Sequence, residues 1–322
     1  MTGDVPRPLA ALFPGQGSQA LGMGHALYRA SEAARAVIID AEAALPGLTS
    51  VMWEGPAELL RSTANAQPAL LAVSIAALAA WREAGGPAFS HAAGHSLGEY
   101  SALVAAGSLR LEDALRLVRA RGEAMQRAVP AGAGAMAAIL KTDAQHVERV
   151  LEGIDGVVEV ANRNGAQQTV ISGTAEAVAE ASERLRAEGA RAVMLEVSAP
   201  FHCSLMAPAA AELAPLLAAT PFAPPALQVV ANVSAEVIGS GDEARALLER
   251  QVTGSVRWVE TLERLHGAGV RNFVEFGVGS VLVGLLKRAL PGATALSVTD
   301  PESLQDAIAA LADGRAPGGD DT

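Results

Sequence analysis

The 322-residue sequence holds a single cysteine, Cys203, so no internal disulfide is possible and a reducing, cytoplasmic setting is expected. Aromatic residues are scarce at 3%, although half of all residues are hydrophobic. The apolar content is therefore mainly Ala, Val and Leu, which suits helices packed closely on a sheet. Positive charge is in the minority: 24 Lys and Arg face 35 Asp and Glu, a formal net charge of −11. That excludes a nucleic-acid binder, which needs a basic face for the phosphate backbone. It does not exclude a small anionic ligand, which one arginine can hold. No stretch reaches the roughly 18 uninterrupted apolar residues of a membrane span. The opening MTGDVPRPLAALFPG has too short an apolar run for a signal peptide. There is no internal repeat. The length allows one large domain, or a domain with an insert, around a sizeable core.

What is present alternates between strand and helix. A buried strand over Leu9–Phe13 runs into Pro14-Gly15-Gln16-Gly17-Ser18. A short apolar run, a Gly-rich turn and a helix form an α/β signature. Apolar residues at three- and four-residue spacing predict a long helix over Pro68–Ala84. A short strand at Ala92-Ala93 follows, then Gly94-His95-Ser96-Leu97-Gly98 and a helix from Glu99. Between about Gly132 and Val197 the rhythm changes. Strands are expected at Gly134–Leu140, Val157–Ala161, Gln168–Ser172 and Ala192–Val197, with helices at Asp143–Leu151 and Ala175–Glu188. That βαββαβ order is the ferredoxin-like pattern. Residues 132–197 thus read as an insert in a larger α/β-hydrolase-like domain made of 1–131 and 198–312. The larger domain resumes near Ser198, with strands at Leu227–Ala231 and Asn272–Phe276 and helices at Val256–His266 and Val281–Ala289. From Asp313 the chain reads as a disordered tail.

Gly94-His95-Ser96-Leu97-Gly98 fits G-x-S-x-G, the nucleophile elbow, and its position between strand and helix is the context that pattern requires. The serine sits on a strained turn, and glycines two residues away avoid collision. The amide of Leu97, at a helix N-terminus, points toward an oxygen that becomes negative. A serine needs a base, and there are six histidines. His91 and His95 are too close in sequence to reach back over Ser96, and His95 reads as a hydrogen-bonded packing residue. His146 belongs on a surface helix, His25 in solvent, and His266 at a helix end. His202, in Ser198-Ala199-Pro200-Phe201-His202-Cys203 where the insert returns to the main domain, is the favoured base, since such a hinge forms a cleft wall. Cys203 reads as a small buried hydrophobe. Among Arg116, Arg119 and Arg121, which cannot share one helix face, the first two read as solvated charges. Arg121 is a candidate for pairing with a carboxylate through two parallel hydrogen bonds.

Several long motifs together resemble malonyl-CoA:acyl carrier protein transacylases and, more loosely, the acyltransferase domains of polyketide synthases. They are FPGQGSQ (Phe13–Gln19), TANAQPALL (Thr63–Leu71), GHSLGEYSALVAAG (Gly94–Gly107), the Arg121-Gly122 region, GAMAAIL (Gly134–Leu140), SAPFHCSLM (Ser198–Met206), QVTGSVRW (Gln251–Trp258) and VEFGVGSVLVGLLKR (Val274–Arg288). The resemblance implies Ser96 as nucleophile, His202 as general base, and the amides of Gln16 and Leu97 as oxyanion hole. Arg121 would pair with the malonyl carboxylate, and Gln251 would orient the histidine through its main-chain carbonyl in place of an acid. It also implies a hydrolase-like core with a ferredoxin-like insert, a ping-pong reaction, no metal or other cofactor, malonyl-CoA and the phosphopantetheine arm of an acyl carrier protein as partners, and a monomer. Phe201 before the histidine fits malonate over the bulkier methylmalonate. Ser280 replaces a lysine common in the family, and Ala190 ahead of Arg191 implies weaker contact with CoA phosphates.

The principal alternative is an acyl hydrolase of the same fold clearing carrier proteins, against which Arg121 argues, since a simple acyl chain gains nothing from a buried cation. An ordinary esterase would want a Ser…Asp/Glu…His order and an HGGG-type loop, which the sequence lacks. A non-catalytic docking protein would not need Ser96, His202 and Arg121 together.

Overall fold

The computed structural model describes residues 8–312. The first apolar run, Leu9–Phe13, is strand β1 and is buried along its whole length. Numbering strands along the chain, β2 is His91–Gly94, β7 Gln228–Val230, β8 Asn272–Phe276 and β9 Thr294–Val298. These five form one sheet in the order β7-β2-β1-β8-β9, and every neighbouring pair is parallel. Both faces of a parallel sheet are covered by helices, so its strands read as short continuous apolar runs. The edge strand β9 was not anticipated, because Thr294 and Ser297 interrupt its apolar run and half-exposed edge positions tolerate them.

The helix expected over Pro68–Ala84 spans Thr63–Glu83, with Pro68 in its second turn. Proline usually marks a first turn, which misplaced the start; burial of Thr63, Asn65 and Gln67 carries the helix back. Its 21 residues include a window apolar enough to cross a membrane, yet 89% of that window is buried inside the molecule. A helix hydrophobic all round is here a core helix.

Residues 134–194 build a second sheet. Its strands are β3 Gly134–Leu140, β4 Val158–Gly165, β5 Gln168–Thr174 and β6 Arg191–Met194, with helices Ala144–Leu151 and Ala175–Ala187 between them. The order is β4-β5-β3-β6 and all pairs are antiparallel, the ferredoxin-like arrangement. Asp143 and Thr174 cap the two helices through their side chains. Ile139, Val147, Ile171, Val178 and Leu185 form a separate small core. The expected strand Ala192–Val197 stops at Met194, and Leu195–Ser198 continues as irregular chain along a cleft. The helix expected from Val256 begins at Trp258. Val256 is instead used in a parallel bridge to Asn162 that ties the two sheets' surroundings together. The expected tail from Asp313 lies outside the described residues.

Candidate active site

β1 and β2 are adjacent and parallel, with Phe13 opposite Gly94. The turns that follow them therefore emerge side by side at the carboxyl edge of the sheet, where open α/β sheets build sites. Ser96 lies in the second turn with φ +53, a left-handed backbone that serine adopts only when its surroundings enforce it. A Cβ on Gly94 would lie 1.9 Å from the carbonyl of Gly98, and one on Gly98 would lie 2.0 Å from the Phe13 carbonyl oxygen. Both glycines are thus obligatory. The Ser96 N–H donates to Asn232 Oδ1 at 2.6 Å. Leu97 is the N-cap of the helix Gly98–Ala105. Neither its amide nor that of Gln16, in the turn after β1, has an acceptor among the described residues.

Ser96 Oγ is 2.7 Å from His202 Nε2. On the other side of the ring, Nδ1 is 2.9 Å from the Gln251 carbonyl and 3.2 Å from that of Gly254. Carbonyls only accept, so Nδ1 carries the proton and the bare Nε2 accepts from the serine hydroxyl. Burial, reinforced by the nearby Arg121 cation, pushes the imidazole down to about 3 and keeps it neutral. His202 itself has φ +60. Cys203 Sγ donates to the Pro200 carbonyl at 3.1 Å, away from the imidazole, and burial pushes its thiol up.

The other histidines serve elsewhere. His95 Nε2 is 2.8 Å from Asn164 Oδ1 and its ring packs edge-on to Trp258. His91 Nδ1 is 2.8 Å from Ser90 Oγ. His25 is exposed beside Trp53, and His146 meets Glu188 at 2.9 Å. His266 is the penultimate residue of the helix Trp258–Gly267.

Arg121 lies inside the helix Leu111–Arg127, on the buried face shared by Ala114, Leu117, Val118 and Met125. It is 1% exposed. Its Nη1 donates to Gln67 Oε1 at 3.0 Å, and its Nη2 to Gln251 Oε1 at 3.1 Å and Ser96 Oγ at 3.2 Å. Two of the five N–H donors of its guanidinium, the Nε–H among them, find no acceptor among the described residues. Arg116 is exposed and faces Asp113, as expected. Arg119 departs from the solvated charge expected of it: it is half-buried and donates to Asn65 Oδ1 at 2.5 Å. Ser96, His202, Arg121 and Gln16 line one cleft of about 570 Å³, with Met125 and Phe201.

A family model described as acyl transferase domain matches residues 11–302. The chain belongs to the acyl transferase family. It is 47% identical over 309 residues to the malonyl CoA-acyl carrier protein transacylase of Bacillus subtilis strain 168, covering 94% of this chain and 97% of that one. Among solved structures it superposes on the acyl-carrier-protein-S-malonyltransferase of Bartonella henselae with a TM-score of 0.91 at 44% identity, covering 95% and 99% of the two chains. A malonyl-transacylase in complex with its type II polyketide synthase acyl-carrier protein matches with a TM-score of 0.91 at 43% identity, covering 94% and 99%.

This acyl transferase places further polar residues around the elbow that sequence reasoning gave no role. Gln67 holds Arg121. Asn232, just past β7, also donates through Nδ2 to the Gly94 carbonyl at 2.6 Å. Glu99 is fully buried, and burial pushes its carboxyl up to about 7 against the opposing pull of the Asn232 N–H, the Gln251 amide and Arg121. The available signals were slight: Glu99 directly follows the elbow, and Asn232 comes just after an apolar strand at the sheet's carboxyl edge. Gln251, expected to act through its carbonyl, also bridges through its side chain. Nothing in the structure explains Ser280. Arg191 is exposed on β6 and does not line the cleft; the exposed Arg61 and Arg288 do.

Proposed function

We propose that this acyl transferase moves a malonyl group from malonyl-CoA to the phosphopantetheine thiol of an acyl carrier protein, through an ester on Ser96. The observation that carries this reading is the sharing of Ser96 Oγ between the neutral His202 Nε2 at 2.7 Å and the buried Arg121 Nη2 at 3.2 Å. A base and a carboxylate receptor converge on one hydroxyl. The names of the relatives point to the same substrates.

In the first half-reaction Ser96 Oγ bonds to the thioester carbonyl carbon while its proton passes to His202 Nε2. The carbonyl oxygen, now negative, faces the amides of Gln16 and Leu97. When the tetrahedral centre collapses, the C–S bond breaks and His202 returns the proton to the departing thiolate. The Gln251 and Gly254 carbonyls face the Nδ1–H and steady the transient imidazolium. In the second half-reaction the carrier thiol gives its proton to His202, sulfur bonds to the acyl carbon, and Ser96 leaves as a hydroxyl. Arg121 holds the malonyl carboxylate throughout, in a site where an unpaired carboxylate would be strongly disfavoured. Phe201, with Met125, narrows the cleft against a branched acyl group. Arg61 and Arg288 offer positive charge along the cleft to the phosphates of coenzyme A. The enzyme acts in the cytoplasm as a monomer, serving fatty acid or polyketide synthesis; sedimentation velocity tests the monomer, and transfer to a panel of carrier proteins separates the pathways.

The deciding experiment is intact-mass analysis after mixing with malonyl-CoA. One malonyl adduct is expected, mapping to Ser96. An adduct on Cys203, or none under single-turnover conditions, overturns the mechanism. The hydrolase reading is disfavoured by Arg121, because a buried cation does nothing for a simple acyl chain.

A further inference from the structure

Three elements meet behind the elbow, and one carboxylate joins them. Glu99 is in the first turn of the helix Gly98–Ala105 and none of it is exposed. Its Oε2 accepts from the Asn232 backbone N–H at 2.8 Å and from Gln251 Nε2 at 2.8 Å, while Oε1 has no partner among the described residues. Each residue it holds touches the reacting groups. The Asn232 side chain receives the Ser96 N–H and grips the Gly94 carbonyl. Gln251 Nε2 also donates to the Ser96 carbonyl at 3.0 Å, Gln251 Oε1 receives Arg121 Nη2, and the Gln251 main-chain carbonyl receives His202 Nδ1–H.

An amide side chain has two orientations, differing by exchange of oxygen and nitrogen. Only the one with Nε2 toward Glu99 leaves Oε1 facing the guanidinium. The flipped orientation would set two oxygens against each other at Glu99 and two donors against each other at Arg121. We propose that Glu99 is a positioning residue: by accepting from Gln251 Nε2 it fixes the amide that aims Arg121, and so sets discrimination between malonyl and uncharged acyl groups. The inference rests on the reading of Arg121 as carboxylate receptor.

Two substitutions separate placement from charge. Glu99→Asp keeps a buried carboxylate but withdraws it by one carbon–carbon bond from Gln251. Glu99→Gln removes the charge but keeps a carbonyl oxygen where Oε2 stands, able to receive both N–H groups. Its amide takes the place of the unpartnered Oε1, at a cost to stability rather than to placement. With the carboxyl pushed up to about 7, the native site already spends part of its time neutral near neutral pH. Full-length variants are assayed for kcat/KM with malonyl-CoA and acetyl-CoA, alongside thermal unfolding. Glu99→Asp is expected to lower the malonyl-to-acetyl ratio by about tenfold or more, whereas Glu99→Gln keeps the ratio within about threefold of native even if its Tm falls. A native ratio in Glu99→Asp overturns the proposal. So does a ratio in Glu99→Gln that collapses, which would assign the effect to charge; that arm decides the matter alone if Glu99→Asp does not fold. Arg121→Ala is run in parallel. If it leaves the ratio unchanged, the reading of Arg121 itself fails; if it collapses the ratio while Glu99→Asp does not, only the present inference falls.

Discussion

A histidine whose Nδ1 faces two carbonyls has no choice of tautomer, and this does for His202 what a carboxylate does in a triad. The difference is charge. A carboxylate would stabilise the imidazolium more strongly than two carbonyl dipoles do, so burial, reinforced by the Arg121 cation, leaves the resting ring neutral and ready to accept. Nuclear magnetic resonance of the ring nitrogens is therefore expected to show neutral Nδ1–H imidazole at pH 6, below the ordinary histidine pKa of about 6.5; an imidazolium spectrum there would contradict the burial argument. His202→Ala should slow acylation by about 10²–10⁴-fold, the span of general base catalysis, while His266→Ala leaves it unchanged. Arg121 belongs to the same scale. Removing one partner of a buried charge pair costs about 2–5 kcal/mol, roughly 30- to several-thousand-fold. Arg121→Ala should depress malonyl transfer by that factor and leave acetyl transfer unchanged or improved, read as the ratio of kcat/KM for the two thioesters. A parallel fall in both would make Arg121 a structural residue.

At the scale of the element, the elbow is held by close approach. The carbonyl of Phe13 on β1 occupies the space a Cβ on Gly98 would need, at 2.0 Å. Backbone on both sides cannot yield cheaply, so Gly98→Ala should cost at least about 3 kcal/mol, the upper end of overpacking penalties, and abolish acylation. Gly267→Ala is the control. No atom of the described residues lies within 4 Å of its Cβ and its φ is not positive, so it should be neutral or stabilising by up to about 1 kcal/mol. Urea unfolding of both variants checks the contrast; a tolerated Gly98→Ala would show that the turn relaxes. This part of the site was legible, because G-x-S-x-G states the steric problem in its own spacing. The start of the Thr63–Glu83 helix was not, because a local proline signal yielded to burial of the turn before it.

Across the whole molecule, the cleft lies where the carboxyl edge of the parallel sheet meets the antiparallel sheet, and buried charge is concentrated near that edge. Glu275 on β8 accepts the N–H groups of Leu282 and Val283, so it anchors the helix Val281–Ala289 that lines the cleft. Burial pushes its carboxyl up to about 7 despite those two bonds. A carboxyl raised on folding contributes stability that is fully present below its unfolded pKa and is lost as pH rises through about 7. Glu275→Gln cannot titrate, so its stability relative to the native protein should rise between about pH 5 and pH 8. Urea unfolding at both ends of that range measures this. A difference that stays constant with pH would mean that the helix N-terminus fully compensates the buried charge.

Periodicity and motif spacing, which are local, determined the central strands, the ferredoxin-like pattern of the second sheet and the elbow serine, but not the edge strand β9 or the short helices between β1 and Thr63. The residues themselves singled out His202 and Arg121, and the family motifs added Gln16 and the Gln251 carbonyl behind the histidine, but not the side-chain bonds by which Gln251 joins Arg121, Ser96 and Glu99. That join was decided by tertiary structure alone. Ser96 and His202 are 106 residues apart, and Arg121 and Gln251 are 130 apart. Glu99, Asn232 and Gln67 carry no pattern of their own. Burial made their few hydrogen bonds decisive, because a polar group without water must find its partner in the fold.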